Sequence, residues 1–272
     1  MKSIYASLVN SVGKIVEGLS RIPEGSLLDG VEPGTDGKIT VLTIFPHADD
    51  ETIYSAGTLI KLKKNPKVRL VLLNLTLGEK SPARSRMNLS GGEMARVRQK
   101  ELRNAARAMS ADEVIQFDYP DLGLEKADQP ELLRKVLDVI DRAHAKIIVT
   151  FSPYGIYGHP DHRTANRVAT EAFKKSPAKK LYYVSFDKLY ALFRVIMCQF
   201  ASGAYARLIY YHLKNPVPIK PTIRVDITAE KQMKKAALDA YASQKMQSNL
   251  TAFLEMSVVS DYEWFALAAE NK

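Results

Sequence analysis

The chain has 272 residues, of which 46% are hydrophobic, and this is enough for one large α/β domain with a well-filled core. Its single cysteine, Cys198, excludes an internal disulfide and a cysteine-rich zinc site, so a metal ion would have to be held by histidine and carboxylate groups. The net charge of +9 gathers in basic stretches without interleaved aromatic residues or a recognisable DNA-reading helix, and no nucleic-acid partner is therefore expected.

The first 37 residues are predicted to form a helix and a connector ahead of the main domain. Apolar residues recur at helical spacing within 4–22, which predicts an amphipathic helix, and 23–37 is rich in Pro and Gly. Polar and charged residues interrupt the apolar run, so it does not look like a secretion signal. Together with the lone cysteine, this favours a cytoplasmic protein.

Residues 38–272 are predicted to form a single α/β domain, because strand and helix patterns alternate along them. The predicted strands lie at 39–45, 68–76, 113–117, 146–151, 181–186 and 222–227. The predicted helices lie at 52–64, 93–109, 130–144, 162–175 and from 229 onward. Such alternation is typical of βαβ units, which build a mostly parallel sheet covered by helices on both faces.

One insertion, near 187–215, interrupts the alternation. Its central part, 189–213, is rich in Leu, Phe, Ile, Tyr and Met and carries only Arg194 and Arg207 as full charges. The two charges and a central Ser202-Gly203 argue against a membrane-spanning helix, and we expect a pair of helices packed on the core. A lid, an oligomer contact and a membrane-surface patch are the alternatives.

The densest group of reactive side chains follows the first predicted strand. Residues 46–51 read Pro-His-Ala-Asp-Asp-Glu, directly after the apolar run 39–45. An imidazole and three carboxyl groups would each cost several kcal/mol if buried unpaired, so this cluster needs a cation. In open α/β sheets, ligands bind beyond the carboxyl ends of the strands, and the hexapeptide would lie there.

A second cluster, His159-Pro160-Asp161-His162, follows the apolar run 147–151 after a glycine-rich turn. Three of the five histidines of the chain lie in these two clusters, which favours a metal site over isolated structural histidines. Catalytic zinc sites take three protein ligands and keep a fourth position for water. We therefore predict His47, Asp50 and His162 as the ligands.

The other polar residues of the two clusters are candidates for catalysis. Zinc lowers the pKa of a bound water from about 15.7 to about 7, and we predict Asp49 as the general base that takes its proton and returns it to the leaving amine. A protonated His159 would face the developing oxyanion, with Asp161 holding its ring. A supporting carboxylate is the alternative for Asp49, and a fourth metal ligand for His159. Glu51 is given a supporting role only.

With these motifs the chain resembles the LmbE-like, or PIG-L-type, zinc-dependent N-acetylglucosaminyl deacetylases. Residues 46–51 are similar to the family's His-Pro-Asp-Asp-Glu block, although Ala48 stands where the family usually has proline, and 154–162 are similar to its second block. Shorter similar stretches are Thr76–Glu79, Arg98–Glu101, Tyr119–Gly123, Val225–Thr228 and Tyr241–Gln244.

This resemblance implies a Rossmann-like three-layer sandwich and a hydrolase that removes the N-acetyl group from an N-acetylglucosamine-containing small molecule or glycoconjugate. By motif position it also implicates Arg98 and Asp121 in contacts with sugar hydroxyls, and Tyr157 in stabilising the tetrahedral intermediate. Zn²⁺ is the expected metal, with Fe²⁺ as the alternative. The identity of the aglycone stays open, as does a homo-oligomeric state.

Two other functions compete with deacetylation. A non-haem Fe(II) oxygenase is one, because His47-Ala48-Asp49 with a distant histidine also matches a facial triad, although such triads sit on jelly rolls rather than on alternating strands and helices. A metal- and sugar-binding protein without turnover is the other, although it would need neither Asp49 nor His159. An alternative location is the inner membrane face, where the protein would act on a lipid-linked amino sugar. The N-terminal helix and residues 189–213 would then bind the membrane surface.

Overall fold

The computed structural model describes residues 11–187, 219–245 and 260–271. The strands within these ranges are β1 (Ile39–Phe45), β2 (Val68–Thr76), β3 (Glu113–Tyr119), β4 (Ala145–Thr150), β5 (Lys180–Ser185), β6 (Ile223–Asp226) and β7 (Tyr262–Glu270). The helices are α1 (11–18), α2 (Asp50–Lys63), α3 (Ala83–Arg86), α4 (Gly91–Ala108), α5 (Gln129–Ala143), α6 (Gly155–Gly158), α7 (Pro160–Lys174), α8 (Lys231–Asp239) and α9 (Ala242–Lys245).

The seven strands form one sheet in the order β3-β2-β1-β4-β5-β7-β6. Strands β1 to β5 are parallel to one another, whereas β7 runs antiparallel to β5 and to β6. The chain moves outward from β1 through β2 to β3 and then returns to the other side of β1 with β4. The carboxyl ends of β1 and β4 therefore border the switch point of the sheet, where α/β folds form their ligand crevice.

The sheet is buried on both faces by two hydrophobic clusters. Alternate residues of β1 enter different clusters: Val41 and Phe45 lie in one with residues of α2, α4 and α8, and Leu42 and Ile44 lie in the other with residues of α5 and α7. All seven residues of β1 are buried, which is why the strand is a continuous apolar run rather than an alternating one.

The predicted α/β class is confirmed: the sheet is mostly parallel and helices flank it. The expectation of helices from 229 onward is wrong in one respect, because Tyr262–Glu270 forms β7. Its Ala, Leu and Glu residues favour helix intrinsically, but pairing with β5 on one side and β6 on the other determines the conformation.

The remaining predicted elements concern the N-terminal part and the insertion. Residues 11–18 are helical, and Val12 and Val16 pack near Ile22 and Trp264, which fastens this helix to β7. The predicted helices of 189–213 lie outside the described residues. Among the helices that the structure describes, none has the length and apolar character needed to cross a membrane.

Candidate active site

Two turns build the site, one after β1 and one after β4. The first turn carries His47 and then Asp49, whose backbone is in a left-handed conformation (φ 108°, ψ −28°), before α2 begins at Asp50. The second turn leads through α6 into α7, which carries His162 in its first turn. Because β1 and β4 are hydrogen-bonded neighbours, both clusters meet at one edge of the sheet.

The three predicted metal ligands converge. The Nδ1 atom of His47 lies 3.3 Å from Asp50 Oδ2 and 3.3 Å from His162 Nε2, and His162 Nε2 lies 3.5 Å from Asp50 Oδ1. Donors placed about 2.0–2.1 Å from a tetrahedral zinc ion are about 3.3 Å apart. The spacing and the mixed nitrogen and oxygen chemistry of these three groups therefore fit a divalent metal ion.

Both imidazoles are oriented by partners on the nitrogen that faces away from Asp50. His47 Nε2 lies 3.2 Å from Asp161 Oδ2, and His162 Nδ1 lies 3.1 Å from the carbonyl of Gly155. The ring of His162 also stacks on Phe151, with centroids 3.9 Å apart and planes 8° apart. Carboxylates and carbonyls in this position fix the tautomer and the ring plane of metal-binding histidines.

The electrostatics of the two histidines differ. Burial, as the largest cause, lowers the pKa of His162 to about 3, so this ring is neutral at physiological pH, as a metal ligand must be. Burial also disfavours the charged form of His47, but hydrogen bonds to Asp121, Asp161 and Asp50 outweigh it, and the pKa lies well above its ordinary value. The carboxylates thus favour a positive charge at this point, and a divalent cation supplies one.

Asp161 has a different partner from the one predicted. Its Oδ2 atom accepts from the Leu122 N–H at 2.7 Å and contacts His47, and its Oδ1 atom accepts from the Leu124 N–H at 3.2 Å. These two N–H groups hold the carboxylate at a distance from His159. Asp161 contacts His159 through its backbone N–H, which donates to Nδ1. The carboxylate of Asp161 thus contacts His47, and its role in holding the ring of His159 stays a prediction.

Asp49 directly precedes the predicted ligand Asp50 and pairs with Arg98. Its Oδ2 atom accepts a 2.8 Å hydrogen bond from Arg98 Nη2. Burial is the largest cause that raises the pKa of Asp49 to about 7, the charges of Asp50 and Glu51 add to it, and Arg98 opposes it. A carboxyl group that titrates near neutral pH is suited to accept and return a proton.

Arg98 is held by partners within the protein. Its side chain is buried, Nη1 donates to Glu101 Oε2 at 3.0 Å, and Nη2 donates both to Asp49 and to the carbonyl of Ala48. Both terminal nitrogens thus have partners within the protein, and the contact of Arg98 with a sugar hydroxyl stays a prediction. The sequence could not show these partners, because helical spacing alone does not tell which face of α4 meets the turn.

Asp121 lies nearer to the ligands than a purely sugar-binding role requires. Its Oδ1 atom is 3.3 Å from His47 Nε2, and its backbone N–H donates to Glu79. Burial raises the pKa of Asp121, but the hydrogen bond and the charge of His47 outweigh it, so the pKa lies below its ordinary value. Its contact with a sugar hydroxyl stays a prediction.

His159 and Tyr157 border the same space. The ring centroid of His159 lies 4.8 Å from that of His47 and 4.7 Å from that of His162, and the ring of Tyr157 lies 5.1 Å from that of His162. Burial and the charge of His47 lower the pKa of His159, and its Nδ1 accepts the Asp161 N–H. The lowered pKa favours a neutral His159 over the protonated ring predicted, and a neutral ring whose Nδ1 accepts this N–H would carry its proton on Nε2. The close spacing of the three imidazoles keeps a fourth metal ligand open as its alternative.

Residues that sequence reasoning missed lie behind the two turns. Asn74 on β2 donates to the carbonyl of His47 at 2.7 Å, and Tyr241 donates to Glu51 Oε1 at 2.5 Å. Glu51 also accepts from the Asp49 N–H at 3.3 Å, so its support acts on the turn that carries the ligands. In the sequence, Asn74 stands out as a lone amide within an apolar strand, and Tyr241 lies in the family-like stretch Tyr241–Gln244.

Comparison with known proteins finds a matching family, relatives of similar sequence and solved structures of similar fold. Residues 42–173 match the family described as PIG-L: GlcNAc-PI de-N-acetylase. The fold and the strand-end clusters thus define an α/β protein with a candidate divalent-metal centre. The chain carries a PIG-L family domain, which confirms the resemblance seen in its motifs.

Two relatives extend the match. A probable N-acetyl-alpha-D-glucosaminyl L-malate deacetylase 2 from Bacillus anthracis is 31% identical over 150 residues, which are 54% of this chain and 66% of that protein. A 1D-myo-inositol 2-acetamido-2-deoxy-alpha-D-glucopyranoside deacetylase from Saccharomonospora viridis is 29% identical over 236 residues, which are 75% of this chain and 84% of that protein. The chain thus spans about two thirds of the first relative and most of the second.

Solved structures share the fold. An N,N'-diacetylchitobiose deacetylase from Pyrococcus horikoshii has a TM-score of 0.59 at 23% identity and covers 84% of this chain and 83% of its own. The 4-carboxy-2-hydroxymuconate hydratase GalB from Pseudomonas putida has a TM-score of 0.61 at 17% identity and covers 86% of this chain and 98% of its own. A deacetylase and a hydratase therefore share this fold, and the function has to be argued from the site.

Proposed function

We propose that the protein is a metal-dependent N-deacetylase, which hydrolyses the acetamide of an N-acetylglucosamine-containing substrate to acetate and a free amine. The observation that carries the proposal is the convergence of His47, Asp50 and His162 within 3.5 Å of one another, beside Asp49. A metal-ligand set and an adjacent base are what amide hydrolysis by activated water requires. The relatives named as deacetylases support the same reaction.

The ligand set would hold one divalent ion through two imidazole nitrogens and a carboxylate oxygen. When bound, such an ion polarises the carbonyl oxygen of the substrate and makes water a better nucleophile at neutral pH. We propose Zn²⁺, because two histidines, one carboxylate and an open position are a common set for catalytic zinc. Fe²⁺ is compatible with the same donors, and metal analysis distinguishes the two ions.

The protein supplies the proton transfers and the stabilisation of charge. Asp49 would accept a proton from the attacking water and donate it to the nitrogen of the departing amine, since its raised pKa allows both steps near pH 7. His159 would donate its Nε2–H to the oxyanion that develops from the acetamide carbonyl, with Tyr157 beside it. A neutral imidazole with Nδ1 occupied is oriented for this donation.

The substrate would approach over the two turns. Asp121 is the proposed partner of a sugar hydroxyl, and two large apolar side chains next to the site are exposed, Leu122 at 51% and Tyr154 at 46%. Leu122 directly follows Asp121 and is held in a left-handed conformation (φ 59°) while its N–H donates to Asp161. We propose that these two side chains contact the apolar face of the sugar ring or the adjoining aglycone.

A substrate panel tests the proposal. The panel contains N-acetylglucosaminyl malate, N-acetylglucosaminyl inositol and diacetylchitobiose, after the substrates that the relatives' names state. The metal-free chain is loaded with Zn²⁺ or, without oxygen, with Fe²⁺, and released amine is measured with chelated protein as the control. Amine release that needs the metal supports the proposal. No release from any member by metal-loaded protein contradicts it for these substrates.

The oxygenase and the non-catalytic binder are tested by the same preparation. The sheet is mostly parallel, whereas facial-triad oxygenases have a jelly roll, so the fold argues against the oxygenase. Oxygen uptake by the Fe²⁺-loaded protein would revive it. Binding of the sugar without amine release would favour the binder.

We also propose a cytoplasmic protein that contacts the inner membrane face. Helix α1 exposes Ile15, and Leu19 follows it at 63% exposure, with Lys14 and Arg21 nearby in the chain. An apolar edge next to basic side chains is typical of peripheral attachment to anionic lipid. Co-sedimentation with liposomes at low and high salt tests this location, and no sedimentation at either salt contradicts it.

A further inference from the structure

The segment Tyr241–Gln244 lies late in the chain and contacts Glu51, Ser81 and Glu101. Tyr241, Ser243 and Gln244 are buried, although each carries a polar group. The Tyr241 hydroxyl donates to Glu51 at 2.5 Å, and the Gln244 amide donates to the hydroxyl of Ser81 at 3.0 Å. The proposed reaction uses none of these residues directly, so a direct chemical role does not account for their buried polar groups.

Ser243 forms the most specific of these contacts. Its backbone N–H donates to Glu101 Oε1 at 2.7 Å, and its hydroxyl donates to Glu101 Oε2 at 2.8 Å. Both oxygens of one buried carboxylate are therefore held by a single residue, which fixes the plane of the Glu101 side chain. Glu101 Oε2 then accepts Arg98 Nη1 at 3.0 Å.

Arg98 completes a chain of hydrogen bonds to the proposed base. With Nη1 bound to Glu101, the other terminal nitrogen, Nη2, points at Asp49 Oδ2 at 2.8 Å. The ring of Tyr241 lies against the guanidinium, 5.1 Å from its carbon to the ring centroid. The segment therefore touches Arg98 from one side and holds its anchor, Glu101, on the other.

The arrangement has a consequence for Asp49. An arginine near several carboxylates can pair with more than one of them, and Asp50 and Glu51 follow Asp49 directly in the sequence. Because Glu101 fixes one end of the guanidinium, the other end meets a single oxygen of Asp49. The second oxygen, Oδ1, accepts no hydrogen bond from the residues that the structure describes and stays available for a proton.

We propose that Tyr241–Gln244 is a positioning element for the general base: Ser243 orients Glu101, Glu101 orients Arg98, and Arg98 holds Asp49 in its reactive orientation. This inference rests on the proposed deacetylase function and on Asp49 as its base. Glu101 and Ser243 are positioning residues, since they act only through Arg98. Loss of either one should slow the chemical step while the metal and the substrate still bind.

A mutant cycle tests the inference on the full-length, metal-loaded protein, with the panel substrate that wild type turns over fastest. The variants are Glu101→Gln, Arg98→Gln and the double variant. We expect Glu101→Gln to lower kcat about 10- to 100-fold, with KM within about twofold of wild type and one metal per chain, because a charge-assisted hydrogen bond to Arg98 is weakened. In the Arg98→Gln background, Glu101→Gln should have no further effect.

Two further variants make the result decisive. Glu230→Gln removes an equally buried carboxylate that pairs with Lys64 at 2.5 Å, and this control should leave kcat unchanged. Ser243→Ala, which removes only the hydroxyl donor, should lower kcat by about threefold and replaces Glu101→Gln in the cycle if that variant does not load metal. A wild-type kcat in both variants, or effects that multiply with that of Arg98→Gln, would overturn the inference. An inactive wild type would instead contradict the proposed function.

Discussion

Glu263 on β7 and the carboxylates after β1 are both buried, but they are satisfied in different ways. Glu263 pairs with Lys234 at 2.7 Å and also accepts the backbone N–H groups of Gly57 at 3.0 Å and Thr58 at 2.7 Å, within α2. Lys234 in turn donates to the carbonyl of Ile53 at 3.2 Å. One carboxylate and one ammonium thus neutralise each other, and both form further hydrogen bonds to the backbone of α2.

The candidate active site has no such balance. Its buried carboxylates are Asp49, Asp50, Glu51, Asp121 and Asp161. Within the described ranges, Arg98 is the one lysine or arginine that forms an ion pair with any of them, and it is shared with Glu101. Burial of carboxylates alone therefore does not indicate a metal site. Burial of several carboxylates without a matching number of lysine or arginine partners favours one.

The largest expected effect comes from removing a ligand. His162→Ala deletes the neutral imidazole that faces Asp50 and His47, so the protein should lose its metal, and amine release should fall to the level of chelated wild type. His144→Ala, at an exposed histidine, is the matched control. Retention of stoichiometric metal and activity by His162→Ala would remove His162 from the ligand set.

Asp49→Asn separates the base from the metal. The amide keeps the shape of the side chain but cannot take a proton, so kcat should fall by about 10²- to 10⁴-fold while the metal content stays at the wild-type level. Steady-state kinetics and metal analysis on one preparation check this, with Asp36→Asn at an exposed position as control. An unchanged kcat would mean that Asp49 only supports the site.

The balanced pair should respond in stability and not in chemistry. Lys234→Met leaves Glu263 buried without its cation and should lower the free energy of unfolding by about 3–5 kcal/mol, whereas Lys234→Met combined with Glu263→Leu should recover much of this loss. Urea unfolding measures both variants, and kcat per folded molecule should stay near wild type. Equal stabilities for the single and the double variant would contradict the comparison.

Asp161→Asn tests the support of a ligand. Because Asp161 accepts from two backbone N–H groups and contacts His47, its loss should weaken metal affinity by about 10- to 100-fold, with the ligands themselves unchanged. Competition with a coloured chelator measures the affinity. A wild-type affinity would show that the ring of His47 needs no carboxylate to stay oriented.

The smallest effect concerns another buried carboxylate, Glu17 in α1, which accepts hydrogen bonds from the Ser260 hydroxyl and the Asp261 N–H. Burial raises the pKa of Glu17 from 4.5 to about 7. The folded state therefore binds this proton more tightly, and the stabilisation is complete below pH 4.5 and lost as the pH rises through 7. Relative to Glu17→Gln, wild type should lose about 2 kcal/mol over this range. Parallel stability curves for the two proteins would contradict this.

The sequence predicted most strands and helices and the position of the two motifs, but not the side-chain contacts between distant elements. The bounds of β1 follow from a continuous apolar run, and the two motifs at strand ends predicted that their side chains lie together, because parallel strands bring their carboxyl ends to one edge. The partners of Arg98 and Asp161 could not be predicted, since they depend on how α4 and the loop after β3 pack against the first turn. Strand β7 was missed because its pairing overrides its helical composition.

Metal titration of the chelated wild-type protein determines whether the buried carboxylates and two imidazoles at the switch point form one divalent-metal site. We predict that isothermal titration with Zn²⁺ gives one site per chain, that binding raises the midpoint of thermal unfolding, and that His162→Ala loses the site while Lys234→Met keeps it. No saturable binding by wild type, or the same isotherm in His162→Ala, would contradict the account.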